Sequence, residues 1–166
     1  MTRPLQIAVI GAGGATPEVA RPAEEVGRLL AEAGARIVCG GLGGVMEAAS
    51  RGAATAGGEV IGIVPTESPD DANPHVTHPV ATGIGHARNL AVVASADAVV
   101  AVGGEWGTLS EIAFARRLGR PVVALGSWKL ARKSAADWVS GIEAVADPAA
   151  AASAAIAAAR DVRHEV

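Results

Sequence analysis

The chain has 166 residues, half of them hydrophobic but only 2% aromatic, and a formal net charge of −3. That length suits one core, built from Val, Ile, Leu and Ala rather than from large rings, and the weakly acidic balance gives no reason to expect an electrostatic grip on nucleic acid or an anionic membrane. Cys39 is the single cysteine, which excludes an intrachain disulfide framework and makes a reduced, cytoplasmic compartment the expectation.

In chain order, Met1 to Val9 holds a short apolar run, too brief for a secretory or membrane segment, so no targeting signal is expected there. Strands are predicted at Gln6 to Ile10, Arg36 to Cys39, Glu59 to Ile63, Thr77 to Val80, Ala98 to Val102 and Pro121 to Ala124. Most lack polar alternation, as strands covered by helices on both faces do. Between them, Val19, Ala23, Val26, Leu30 and Ala33 mark the buried stripe of a first helix that Gly34 closes. Further helices are predicted over Val45 to Ala56, Ala87 to Ala96 and Leu109 to Leu118, with Gly57-Gly58 and Gly119 ending the first and third. Pro65 to His78 carries three prolines and Asp70-Asp71, and reads either as a lid beside the site or as surface slack. A helix is expected over Ala135 to Ala144, then an Ala-rich helix over Ala149 to Ala159, about half the length a bilayer requires and so a surface or dimer-packing element. Asp161 to Val166 reads as a frayed tail.

Short apolar strands alternating with helices predict a single three-layer α/β domain over residues 1–166, with a Rossmann-like, doubly wound parallel sheet. Its core spans about 6–125, with a C-terminal helical segment over 135–160. Right-handed crossovers put every strand-to-helix turn on one edge of such a sheet, where ligands bind.

Four glycine-bearing turns follow strands: Gly11-Ala12-Gly13-Gly14, Gly40-Gly41-Leu42-Gly43-Gly44, Gly83-Ile84-Gly85 and Gly103-Gly104-Glu105-Trp106-Gly107-Thr108. A glycine turn that opens a helix exposes backbone N–H groups to an anion, and the helix dipole adds partial positive charge; any one of them could equally be plain turn chemistry. Thr16 replaces the last glycine of a dinucleotide fingerprint, and neither a Walker loop nor a Gly-x-Ser-x-Gly elbow is present, which disfavours dehydrogenases, P-loop NTPases and α/β-hydrolases. His75 and His78 have no third ligand at metal-site spacing, so no metal is expected. Cys39 ends an apolar run with no base nearby and reads as a core thiol rather than a nucleophile.

The run Gly40-Gly41-Leu42-Gly43-Gly44-Val45-Met46-Glu47, followed by Arg88 and by Gly107-Thr108-Leu109-Ser110-Glu111, resembles the Lonely Guy (LOG) or "lysine decarboxylase-like" Rossmannoid group. The likeness spans about Gln6 to Leu125 and is nearest to the small branch that includes molybdenum cofactor carrier proteins. The resemblance implies catalytic roles for Arg88 and Glu111. It also implies phosphate binding by Gly11, Gly13, Gly41, Gly43, Gly44, Met46, Gly103, Gly104, Gly107 and Thr108. Two departures stand out. Gly103-Gly104-Glu105 replaces the family's Pro-Gly-Gly and puts a carboxylate in the phosphate loop, and His86-Ala87-Arg88-Asn89 lacks the family's glutamate and lysine.

Three functions follow as expectations. One is a nucleoside 5′-monophosphate phosphoribohydrolase that needs no cofactor, in which Glu111 stabilises oxocarbenium character and orients water while Arg88 binds phosphate or ribose. Another is a carrier of a nucleotide or pterin phosphate that performs no reaction. The last is a protein acting only through partners. Thr108-x-x-Glu111 can also be read as a helix capping box, and Arg88 as an exposed helix residue. The expected partners are a small phosphate-bearing ligand and further copies of the chain, as a dimer or tetramer; no nucleic acid and no membrane are expected.

Overall fold

Runs of β-branched residues that are apolar on both sides gain most by becoming central strands, and they dominate the structure, a computed structural model describing residues 3–130 and 141–164. The strands are β1 (Gln6–Gly11), β2 (Arg36–Cys39), β3 (Val60–Val64), β4 (His78–Ala81), β5 (Ala98–Val102), β6 (Val122–Leu125) and β7 (Ile142–Val145). They form one sheet in the order β4-β3-β2-β1-β5-β6-β7, and every neighbouring pair is parallel. The helices are α1 (Pro17–Glu32), α2 (Val45–Thr55), α3 (Arg88–Ala94), α4 (Trp106–Arg117) and α5 (Pro148–His164).

The central strands feed both faces. Ile7 and Val9 of β1 pack with Val26 and Leu30 of α1, Ala49 of α2 and Ala155 of α5, whereas Ala8 and Ile10 pack with Val92 of α3 and Ile112 of α4. Burying each of these Val, Leu and Ile side chains stabilises the fold by roughly 2 kcal/mol, and each alanine by less. The helices predicted to end at Gly34, Gly57 and Gly119 do end there, with φ of +79°, +71° and +69°, the left-handed turn that lets a chain leave a helix without a Cβ clash.

The chain winds outward from β1 to β4, then returns to place β5 against the other side of β1. The strand order therefore reverses between β1 and β5, whose carboxyl ends meet where Gly11 pairs with Val102. That reversal opens a crevice beyond the strand ends.

The structure departs from sequence expectation at four places. Ile142–Val145, expected to close a helix, is strand β7 paired with β6; the open edge of β6 gives those residues backbone partners that no local pattern reveals. Residues 135–140 of that expected helix lie outside the described residues. Helix α4 starts at Trp106 rather than Leu109, because Glu105 is its N-cap and pairs with Thr108 as a capping box. The Ala-rich helix is neither a surface coat nor a frayed end. Ala151, Ala155 and Ala159 are fully buried on the sheet, and the helix continues to His164, where Arg163 donates to the carbonyls of Arg3 and Pro4, each at 2.6 Å. Among the described residues no helix is long and apolar enough to cross a membrane.

Candidate functional site

Beyond the carboxyl ends of the central strands lies a cavity of about 190 Å³, lined by residues from three of the four glycine turns and from the start of α3, with no residue of Gly83-Ile84-Gly85. β1 and its turn contribute Ile10, Gly11, Ala12 and Gly13; the second turn and α2 contribute Gly40, Leu42 and Met46; and the segment entering α3 contributes His86, Arg88 and Asn89. The cap and first turns of α4 supply Glu105, Gly107, Thr108 and Glu111. Of the residues singled out from sequence, Gly11, Gly13, Met46, Arg88, Gly107, Thr108 and Glu111 thus converge on one space. Gly41, Gly43, Gly44, Gly103 and Gly104 do not line it. Gly44 sits where a Cβ would meet the Ala12 carbonyl at 2.3 Å, so it lets the first two glycine turns touch.

Ile10, Ala12, Gly40, Leu42 and Asn89 line the cavity without having been selected. A signal existed for Gly40, the unused first glycine of its turn. A Cβ there would lie 2.3 Å from Arg88 Nη1 and 2.6 Å from Met46 Sδ, so its bare backbone is the surface against which the guanidinium rests. Asn89 follows Arg88 and donates weakly to Ser110 Oγ, at 3.5 Å.

Two helices, α2 and α4, begin at this cavity, and their first-turn N–H groups and dipoles favour an anion. Cavity-lining Ala12, Gly13 and Leu42 donate their amides to no acceptor among the described residues. The cradle is therefore not consumed by its own backbone.

Arg88 and Glu111, 7% and 5% exposed, are brought together from different helices. Their nearest approach, Nη1 to Oε1, is 3.9 Å, a Coulombic contact too long for a hydrogen bond. Arg88 Nε is buried with no hydrogen-bond partner. Burial pushes the Glu111 carboxyl up to about 7 although Arg88 pulls the other way, and burial lowers the Arg88 guanidinium against the opposing pull of Glu111. The capping box read from Thr108 and Glu111 is replaced by the one at Glu105 and Thr108, in which the Thr108 hydroxyl accepts from the Glu105 amide at 3.4 Å. With the helix starting three residues earlier, Glu111 falls in the second turn and is free to face the cavity. Glu105 is both cap and cavity wall, held where the α4 dipole favours a negative charge.

Near this site Cys39 is fully buried and its thiol is pushed up by burial, as suits a core residue. The Pro65–His78 segment is tied to the second glycine turn through Asn73, whose backbone amide donates to the Gly41 carbonyl at 2.8 Å and whose side chain donates to the Leu42 carbonyl at 3.0 Å. Among the described residues no three His, Cys, Asp or Glu side chains converge to hold a metal ion. A larger cavity, about 680 Å³, lies by β6 and β7 and is lined by Trp128, Lys129, Leu130, Ile142, Ala144 and Val145, among others. Its described lining includes no buried charged side chain, whereas the smaller cavity is lined by the buried Arg88 and Glu111 and is the candidate site.

Comparison with known proteins places the chain among relatives. An uncharacterized protein of Archaeoglobus fulgidus is 48% identical over 121 residues, covering 73% of this chain and 80% of its own. The molybdenum cofactor carrier protein of Chlamydomonas reinhardtii superposes with a TM-score of 0.81 at 32% identity, over 94% of this chain and 98% of its own. The molybdenum cofactor binding protein of Rippkaea orientalis does so with a TM-score of 0.79 at 33% identity, over 90% and 93%. The model of the SLOG cluster4 family matches residues 4–152, nearly the whole chain, and the protein belongs to that family.

Proposed function

We propose that this protein binds and carries a phosphate-bearing cofactor, with molybdenum cofactor as the leading cargo, and performs no reaction on it. The observation that carries the reading is its likeness, along more than nine-tenths of the chain, to a molybdenum cofactor carrier protein, joined to a cavity that suits an anion. The phosphate would take the unused amides of Ala12, Gly13 and Leu42 and the α2 and α4 N-termini. Arg88 would supply the one cationic guanidinium and satisfy its own idle donor. A buried unmade hydrogen bond costs about 1–3 kcal/mol, which a ligand returns on binding.

Electrostatics shapes the cargo. Glu105 and Glu111 both line the cavity, so backbone dipoles rather than an excess of cationic side chains must hold the anion. A neutral Glu111 repels it less than an ionised one, so loading favours the protonated form. Native mass spectrometry of the protein mixed with isolated molybdenum cofactor tests this: an intact complex of one cofactor per chain is expected, and a chain that stays empty refutes it.

A second reading, hydrolysis of a purine nucleoside 5′-monophosphate at its N-glycosidic bond, is favoured by the position of Glu111 near neutrality beside Arg88, because acid–base work at neutral pH needs such a group. Release of free base that Glu111→Ala abolishes would establish it in place of the carrier. Exposed Leu90 on α3, Phe114 on α4 and Leu118 just beyond it support a homo-oligomer, which light scattering would count, and the lone buried cysteine suits a cytoplasmic setting.

A further inference from the structure

In a chain with only 2% aromatic residues, exposing a large ring requires a reason. The most exposed large apolar side chain among the described residues is Trp106, at 77%, well above Ile84 at 55%. It is the first residue of α4, between Glu105 and Gly107, both of which line the cavity. Its ring meets that of Trp128, with centroids 5.4 Å apart and planes tilted by 38°. Trp128 Nε1 donates to the Glu105 carbonyl at 3.2 Å. The second indole is thereby fastened to the same turn that carries the first, and two of the chain's three tryptophans form one unit on the turn whose Glu105 and Gly107 line the cradle, with Trp128 also lining the larger cavity.

The size of the cavity sharpens the point. At about 190 Å³ it is smaller than the roughly 300–1,000 Å³ that enclose a whole small-molecule ligand. It suits the phosphate end of a nucleotide-like molecule, whose ring system must lie beyond it, over the rim. A flat heteroaromatic ring there needs a flat apolar partner, since aromatic faces stack on one another over a wide range of ring chemistries.

We propose that the Trp106–Trp128 pair is the platform on which the planar heteroaromatic ring of the ligand stacks while its phosphate occupies the glycine cradle. This rests on the anion-binding reading above and adds the class of the ligand's other half, a fused bicyclic base or pterin. Trp106 supplies the open face; Trp128 holds its angle.

The test is calorimetric titration of the full chain with two probes, guanosine 5′-monophosphate, which carries ring and phosphate, and ribose 5-phosphate, which lacks the ring. Trp106→Ala is expected to weaken the guanosine nucleotide about tenfold, the worth of one stacked base, and Trp106→Phe to restore most of it. Ribose 5-phosphate is expected to bind all three proteins alike. Equal binding of the nucleotide by wild type and Trp106→Ala overturns the platform while leaving the cradle standing, provided ribose 5-phosphate still binds. Binding of neither probe to wild type removes both. A change of oligomeric state in Trp106→Ala by light scattering, with nucleotide affinity unchanged, assigns the ring to a contact between copies and overturns the proposal as well.

Discussion

Among the described residues two carboxylates are buried, and they sit at opposite edges of the same sheet in opposite states. Asp97 precedes β5 at the amino edge, 2% exposed, and accepts from Arg3 Nη2 at 2.7 Å, Arg163 Nη2 at 2.6 Å and the Gln6 amide at 2.8 Å. Burial alone would raise its pKa, but the bonds from Arg3, Arg163 and Gln6 outweigh it and hold the group down at about 2. Glu111, on the helix that follows the same strand, is as deeply buried yet has only a distant guanidinium, and is pushed up to about 7. Burial pushes both groups up; hydrogen bonds overcome it at Asp97, and at Glu111 the distant Arg88 does not. A carboxylate bonded by two arginines and a backbone amide ties the chain together, whereas one with a perturbed pKa beside an arginine whose Nε has no partner is a candidate for ligand chemistry.

The largest expected effect tests the structural member of this pair. Asp97→Ala leaves two arginines without their shared acceptor and is expected to cost about 3 kcal/mol of stability, read as a lower midpoint in urea with an unchanged slope. The functional member is tested next. Arg88→Ala is expected to weaken phosphate-bearing ligands about a hundredfold by calorimetry, the order seen when a buried charge loses its partner, while its effect on stability stays smaller than that of Asp97→Ala. The reverse ranking would dissolve the distinction drawn here.

The two groups should also give pH dependences of opposite sign. Asp97 has a folded pKa below its unfolded one, so its contribution is full above about pH 4 and disappears as the pH falls through about 2. Glu111 has a folded pKa above its unfolded one, so its contribution is full in acid and is lost as the pH rises through about 7. Between about pH 5 and pH 8 the protein is expected to lose on the order of 2 kcal/mol from Glu111. Glu111→Gln should flatten that slope in urea melts taken across the range, and an unchanged slope would place the titration elsewhere. The smallest effect probes the backbone beneath the guanidinium. Gly40→Ala puts a methyl group where Arg88 now rests and is expected to reduce phosphate affinity about tenfold through misplacement alone, with little change in fold by circular dichroism.

Sequence by itself determined the layered α/β architecture, because apolar runs and three- to four-residue stripes are local signals that hydrogen-bonding geometry converts directly into strands and helices. It also determined that glycine turns would gather at one edge, since crossover handedness allows no other arrangement, and the LOG-like motif located Arg88 and Glu111, which do share a cavity. Only tertiary structure decided the rest. Strand β7 exists because β6 offers it an edge; Glu105 rather than Thr108 caps α4 because the helix starts where the crevice requires. Asp97 finds its partners 94 and 66 residues away in the chain, and Trp106 meets Trp128 across the turn after β6. Such pairings depend on where the folded backbone brings distant residues, and no periodicity within a dozen residues encodes that.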